Sequence, residues 1–182
     1  MPAAPKQELF LMTLKQGLPA ITPAYGEALA EAGAVCFEDQ GHLNGVELTV
    51  SGSFTATFKI YWPEVTGQML RCWNDEEFTT EQAAYGLSFL IIRALTEHTI
   101  IRRSRKGTGF DYWLGREGDE ESLPFQNTAR LEVSGIRKGD YNKVKTRVKQ
   151  KLRQVSPSDR PELPAYIVVV EFRTPLSQVV KK

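Results

Sequence analysis

An α+β (α/β) fold, with a mixed central β-sheet flanked by helices, is the class that three observations in this sequence predict. The hydrophobic period switches along the chain, from helical spacing to strict alternation and back. From Thr79 onward the segments read helix, strand, strand, strand, helix, strand. The last of these strands, AYIVVVEF at 165–172, is a near-continuous apolar run of the kind found in strands covered on both faces. A chain of 182 residues, 41% hydrophobic and 25% charged, suits one domain with a sizeable core. We therefore read residues 1–182 as a single domain, with N-terminal helices and a hairpin over 1–78 and a core over 79–172.

The elements follow from local signals. A helix is expected from Pro5 to Gln16, because Leu9, Phe10, Met12 and Leu14 have helical spacing and Gly17 and Pro19 follow. Thr22 is placed to cap a second helix with Pro23 at its first position, and Gly41 ends it. LNGVELTV and SFTATFKIYW alternate around Ser51-Gly52-Ser53 and predict a β-hairpin. A short helix is expected over Val65–Asn74, followed by a solvated acidic turn at Asp75, Glu76 and Glu77. Thr79 and Gln82 resemble a capping box for a long apolar helix over 79–96. Strands are predicted at 99–104, 109–114 and 128–136, with an acidic loop from Gly115 to Pro124. An amphipathic, lysine-rich helix spans 141–155. The Pro-rich stretch SPSDRPELP precedes the last strand, and a frayed tail is expected after Pro175.

Charge is unevenly placed. Residues 1–97 carry 5 basic and 12 acidic side chains, and residues 98–182 carry 18 and 10. The basic half contains a run of Arg102, Arg103, Arg105 and Lys106, and the helix with Lys143, Lys145 and Lys149. Such clustering fits a face directed at nucleic acid or at an acidic protein partner; a solvated helix face is the alternative for the lysines. Cys36 and Cys72 lack a metal-ligand spacing and are expected as reduced thiols. With no export signal and no membrane-length apolar run, the expected location is cytoplasmic.

Two acids occupy strand positions. Asp111 in GFDYWL should share a face with Trp113, opposite Phe110, Tyr112 and Leu114; Glu132 in ARLEVSG should share one with Arg130 and Ser134. A carboxylate within a half-buried strand is costly unless a cation, a metal or donors satisfy it. Two of them on adjoining strands, downstream of a basic run, point to a divalent-metal site facing a polyanion. Pairing with nearby arginines is the competing explanation. Tyr112 and Trp113 are candidates for stacking on bases. The glycines of RKGTGFD do not form a phosphate-binding loop, and no GxSxG elbow is present.

The element order over 79–172, with an acid on the second strand and another on the third, resembles the core of the PD-(D/E)XK nuclease superfamily, the restriction-endonuclease-like proteins. The resemblance implies an αβββαβ core in which Asp111 and Glu132 hold one or two Mg²⁺ (or Mn²⁺) ions for phosphodiester hydrolysis. It also implies a context in bacterial defence or DNA processing. The family's lysine, two residues beyond the second acid, is replaced here by Ser134. In some members it moves to the next helix, which makes Lys143, Lys145 or Lys149 a substitute, with Lys145 carried as the catalytic candidate. Glu81 and Glu97 are candidates for a further acid from the first core helix. The implied function is a metal-dependent nuclease or nuclease-like subunit. The alternative is an inactive nucleic-acid-binding or protein-interaction module of the same fold.

Overall fold

In the computed structural model of the chain, residues 7–116, 129–156 and 163–182 are described. Most of the expected acidic loop and of the Pro-rich connection lies outside those residues. The strands are β1 (Gln7–Phe10), β2 (Val46–Gly52), β3 (Ala56–Tyr61), β4 (His98–Arg103), β5 (Tyr112–Arg116), β6 (Ala129–Ile136), β7 (Ala165–Glu171) and β8 (Leu176–Lys181). The α-helices are α1 (Pro23–Asp39), α2 (Gly67–Cys72), α3 (Glu76–Leu95) and α4 (Tyr141–Val155). All eight strands form one mixed sheet in the order β1-β3-β2-β8-β7-β6-β5-β4. The order helix, three strands, helix, strand expected after residue 79 is therefore present as α3-β4-β5-β6-α4-β7.

The pleat sorts the core into two layers. On β7, Tyr166, Val168 and Val170 join the cluster built around α1 and α3. Ala165, Ile167 and Val169 point the other way, against Val144, Val148 and Val155 of α4. Both faces are thus covered, which is why this strand reads as an unbroken apolar run. On β6 the same alternation turns Leu131 and Val133 toward α3 and leaves Glu132 and Ser134 facing α4. Gly135 lets α3 approach closely: a Cβ there would lie 2.6 Å from the Thr80 carbonyl oxygen.

Four expectations are corrected. Residues 7–10 are not helical but pair in parallel with β3, and Leu11–Gln16 is a 3-10 helix. The free edge of β3 offers that segment backbone partners, and Phe10 stacks on Tyr61 at 4.8 Å. The long helix starts at Glu76 rather than at Thr79, because Asp75 caps it by accepting from the Phe78 amide at 2.8 Å. Its acidic first turn suits the positive end of the helix dipole, while Thr79 and Gln82 are buried inside the helix. The tail is not frayed: β8 lies between β7 and β2 and joins the N-terminal hairpin to the rest of the sheet. Phe110 does not share the face of Tyr112; it packs edge-on against Trp113, with ring centroids 4.6 Å apart.

Buried Glu171 ties the end of β7 to the turns around it. It accepts from the amides of Gly139, Arg173 and Thr174 at 2.7–3.0 Å. A buried carboxylate with three backbone donors is a satisfied structural group. The 138–140 turn that launches α4 is held in place by one of these bonds.

Candidate functional site

β5 and β6 part company at Asp111. Tyr112 is the last residue of β5 paired with β6, opposite Leu131. The Asp111 amide still donates to the Leu131 carbonyl at 2.9 Å. The next amide along β6, that of Val133, donates to Asp111 Oδ2 at 2.8 Å instead of to a backbone carbonyl. The side chain thus replaces the ladder where the strands diverge. Asp111 Oδ1 accepts from the Tyr85 hydroxyl of α3 at 3.0 Å. That hydroxyl is also 3.3 Å from Glu81 Oε1. Burial first, then the Asp111 and Glu81 carboxylates, push the Tyr85 pKa far up, so the phenol stays protonated.

Glu132 is buried, with its side chain 2% exposed. Lys151 Nζ of α4 donates to Glu132 Oε1 at 2.6 Å, and Gln154 Nε2 donates to the same oxygen at 3.1 Å. Among the described residues, Glu132 Oε2 is buried with no hydrogen-bond partner. Burial and the neighbouring Asp111 carboxylate, partly opposed by Lys151, raise the Glu132 pKa to about 7. Two carboxylates facing each other with one oxygen lacking a donor need a shared proton or a cation.

Among the described residues neither acid is held by an arginine, the competing explanation for both. Among the described residues, the bonds of Asp111 are to Tyr85 and the Val133 amide, and those of Glu132 are to Lys151 and Gln154. Arg130, on the Glu132 face, donates to the Leu163 carbonyl at 2.8 Å.

Other predicted residues divide between this site and elsewhere. Arg103, Arg105 and Lys106 line a cavity of about 340 Å³ together with Glu81, Asp111 and Glu132. Arg103 also donates to the Tyr112 hydroxyl at 3.1 Å and lies over the Tyr85 and Tyr112 rings, so it braces the site from β4. Arg102 is exposed on β4 and is not part of that lining. Lys143 lines a second cavity, of about 700 Å³, on the other side of Glu81 and Lys151. Lys145 and Lys149 are exposed and line neither cavity. Glu97 is exposed beside Arg116, at 3.8 Å, so of the two helix-borne candidates it is Glu81 that reaches the site. Tyr112 is 1% exposed and packs against Tyr85 and Phe89, which removes it from any stacking role.

Lys151, not Lys145, is the lysine that reaches Glu132, and helix geometry explains why. It follows Val148 by three positions and precedes Val155 by four, so it sits beside the buried stripe on the flank nearest β6. Lys145 and Lys149 lie beyond the opposite flank. Projecting the helix with its stripe oriented toward Glu132 selects Lys151, Arg147 and Gln154; a count of lysines does not. Tyr85 had no signal of its own within an apolar helix.

Among the described residues, no three His, Cys, Asp or Glu side chains gather as a complete metal centre. The pair of carboxylates nevertheless suits Mg²⁺, which commonly takes one or two carboxylates and fills its other positions with water and substrate phosphate. The donorless Glu132 Oε2 is the observation that favours such an ion. His42, bonded to the Phe172 carbonyl at 2.8 Å, and His98, packed on Tyr166, are not among the residues lining either cavity beside the acids. No described helix is long and apolar enough to cross a membrane. Fold and site together define an α+β protein with an acid pair at a strand fork, one buried (Glu132) and one half-buried (Asp111), with a lysine against the buried one. No family model, curated protein or solved structure matches the chain.

Proposed function

We propose that this protein is a divalent-metal-dependent nuclease built on the PD-(D/E)XK plan, with Asp111 and Glu132 as the metal-binding acids and Lys151 as the relocated lysine. The observation that carries this reading is the convergence of Asp111, Glu132 and Lys151, with Glu132 Oε2 left free of donors. Bound Mg²⁺ would supply charge neutralisation at the phosphate and a water more easily ionised than bulk water. Each residue has a separate task. The Val133 amide and the Tyr85 hydroxyl fix the two oxygens of Asp111. Gln154 and Lys151 fix one oxygen of Glu132 and leave its second without a donor, in a carboxylate close enough to Asp111 to feel its charge. Lys151 Nζ keeps a positive charge beside the reacting phosphate, and Arg105 and Lys106 hold the polyanion over the cavity.

A specific contact favours the inactive, nucleic-acid-binding alternative. The ion pair of Lys151 with Glu132, at 2.6 Å, already neutralises one acid without a metal. Cleavage assays decide between the two. Wild-type protein should cut single- or double-stranded DNA or RNA with Mg²⁺ or Mn²⁺, and Asp111→Asn should lower the rate by at least about 10³-fold. Binding with no cleavage in either metal would leave the inactive module as the better account.

A further inference from the structure

We infer that the larger cavity, bounded by α4, the end of β6 and the first turns of α3, is a phosphate-binding subsite that seats the nucleic-acid backbone beside the carboxylate pair. This inference rests on the proposed nucleic-acid ligand, not on the proposed cleavage. The cavity is about 700 Å³ and shares Glu81 with the smaller cavity over Asp111, while Lys151 connects its wall to Glu132.

Its two walls carry opposite charge and do not neutralise each other. Lys138, Lys143 and Arg147 stand on one side and Glu76, Glu77 and Glu81 on the other. Among the described residues, the three cations have no carboxylate partner. Arg147 Nη1 donates to the Ser134 hydroxyl at 2.8 Å, which fixes the guanidinium and leaves its other donors for an anion. Lys143 Nζ donates to the Lys138 carbonyl at 3.0 Å, a bond that positions the charge without cancelling it. Arg137, 8% exposed on the same lining, is already engaged: its Nη1 is 3.8 Å from Asp39 and its Nη2 donates to the Glu76 carbonyl at 3.4 Å, although among the described residues its Nε makes no hydrogen bond. Lys138, Lys143 and Arg147 therefore give the basic wall its uncancelled positive charge. The facing glutamates repel phosphates, so an incoming strand is held with its backbone against α4 and its bases toward α3.

Ser134 thereby acquires a role. It stands where the resemblance calls for a lysine, and here it anchors Arg147, while the lysine comes from the next turn of the helix. Contact with phosphates positions a strand without reading its sequence.

The test compares two double variants that remove the same charge from opposite flanks of one helix. Fluorescein-labelled single-stranded and duplex DNA are titrated, without divalent metal, into wild type, Lys143→Ala/Arg147→Ala and Lys145→Ala/Lys149→Ala. The inward pair should lose about tenfold or more in affinity at moderate salt, and its salt slope should fall by about 1.4 for single strands. The outward pair should lose much less. Inorganic phosphate added as competitor should displace the strand from wild type only at far higher concentration, which identifies a backbone phosphate rather than the free ion as the ligand. Equal losses in both pairs would overturn the subsite in favour of unlocalised attraction. So would unchanged binding by the inward pair, or no binding by wild type. Cleavage by wild type alongside unimpaired binding by the inward pair would sink the subsite alone. Selective loss of binding without any cleavage would sink the nuclease and keep the subsite.

Discussion

Lys151→Met should reduce metal-dependent cleavage by about 10²–10³-fold and shift the acidic limb of its pH–rate profile upward. Lys151 is the cation at 2.6 Å from Glu132, and it works against the burial and the Asp111 charge that raise the Glu132 pKa to about 7. Without it that pKa rises further, so a higher pH is needed before both acids are ionised. Lys151→Arg should restore most of the pH limb but not the full rate, because a planar guanidinium cannot sit where the ammonium does. A lysine with a purely structural role would change stability and leave the pH limb unmoved. The cost in stability also has a pH signature. At pH 6 Glu132 takes up a proton when its partner is removed; as pH rises toward and through its raised pKa, ionising it costs increasingly more because the charge is buried and unpaired. Single-turnover rates and melts across that range read both effects.

Glu132→Gln should give a protein more stable than wild type when metal-free at pH 8, by on the order of 2 kcal/mol or about 4–8 °C. The amide oxygen can still accept from Lys151 and Gln154, and an uncharged amide nitrogen replaces the donorless Oε2, so the repulsion with Asp111 is removed. In the wild type, the folded-state pKa of Glu132 lies above its ordinary value of 4.5, at about 7. Its protonated form therefore favours the folded state below the ordinary value, and that contribution is lost as pH rises through about 7. The difference between variant and wild type should accordingly be small near pH 5 and open between there and neutrality. Asp111→Asn is a less clean substitution than it looks from sequence. Asp111 accepts from both Tyr85 and the Val133 amide, and an asparagine can accept only on its oxygen. Its metal-free stability should change little, as relief of repulsion offsets a lost bond.

Much of this architecture was legible in the sequence, and the exceptions have physical causes. Period and apolar content located β2, β3, β4, β6, β7, α1 and α4, because each buries a regular face of its own. β1 and β8 were misread because their strand character comes from partners distant in sequence, β3 for the first and β2 and β7 for the second. Asp111 and Glu132 stood out as charges in strands, and the structure brings them together at the fork between β5 and β6. The lysine that contacts Glu132 is on the helix expected to supply one but on the opposite flank from Lys145, and telling Lys151 from Lys145 requires knowing how α4 rolls against β6. Tyr85, Gln154 and Arg147 carry no mark until the fold places them beside a carboxylate or a serine.

The central claim, that Asp111 and Glu132 hold a divalent cation, is tested most directly by melting the metal-free wild type and Glu132→Gln at pH 8, with and without Mg²⁺ or Mn²⁺. At a hundredfold excess over its dissociation constant the metal should stabilise wild type by about 2.7 kcal/mol, or about 5–11 °C. Glu132→Gln should not respond, and the wild-type gain should shrink as pH falls below about 7 and protons compete for the same oxygens. A wild-type midpoint indifferent to saturating concentrations of both metals would contradict the claim.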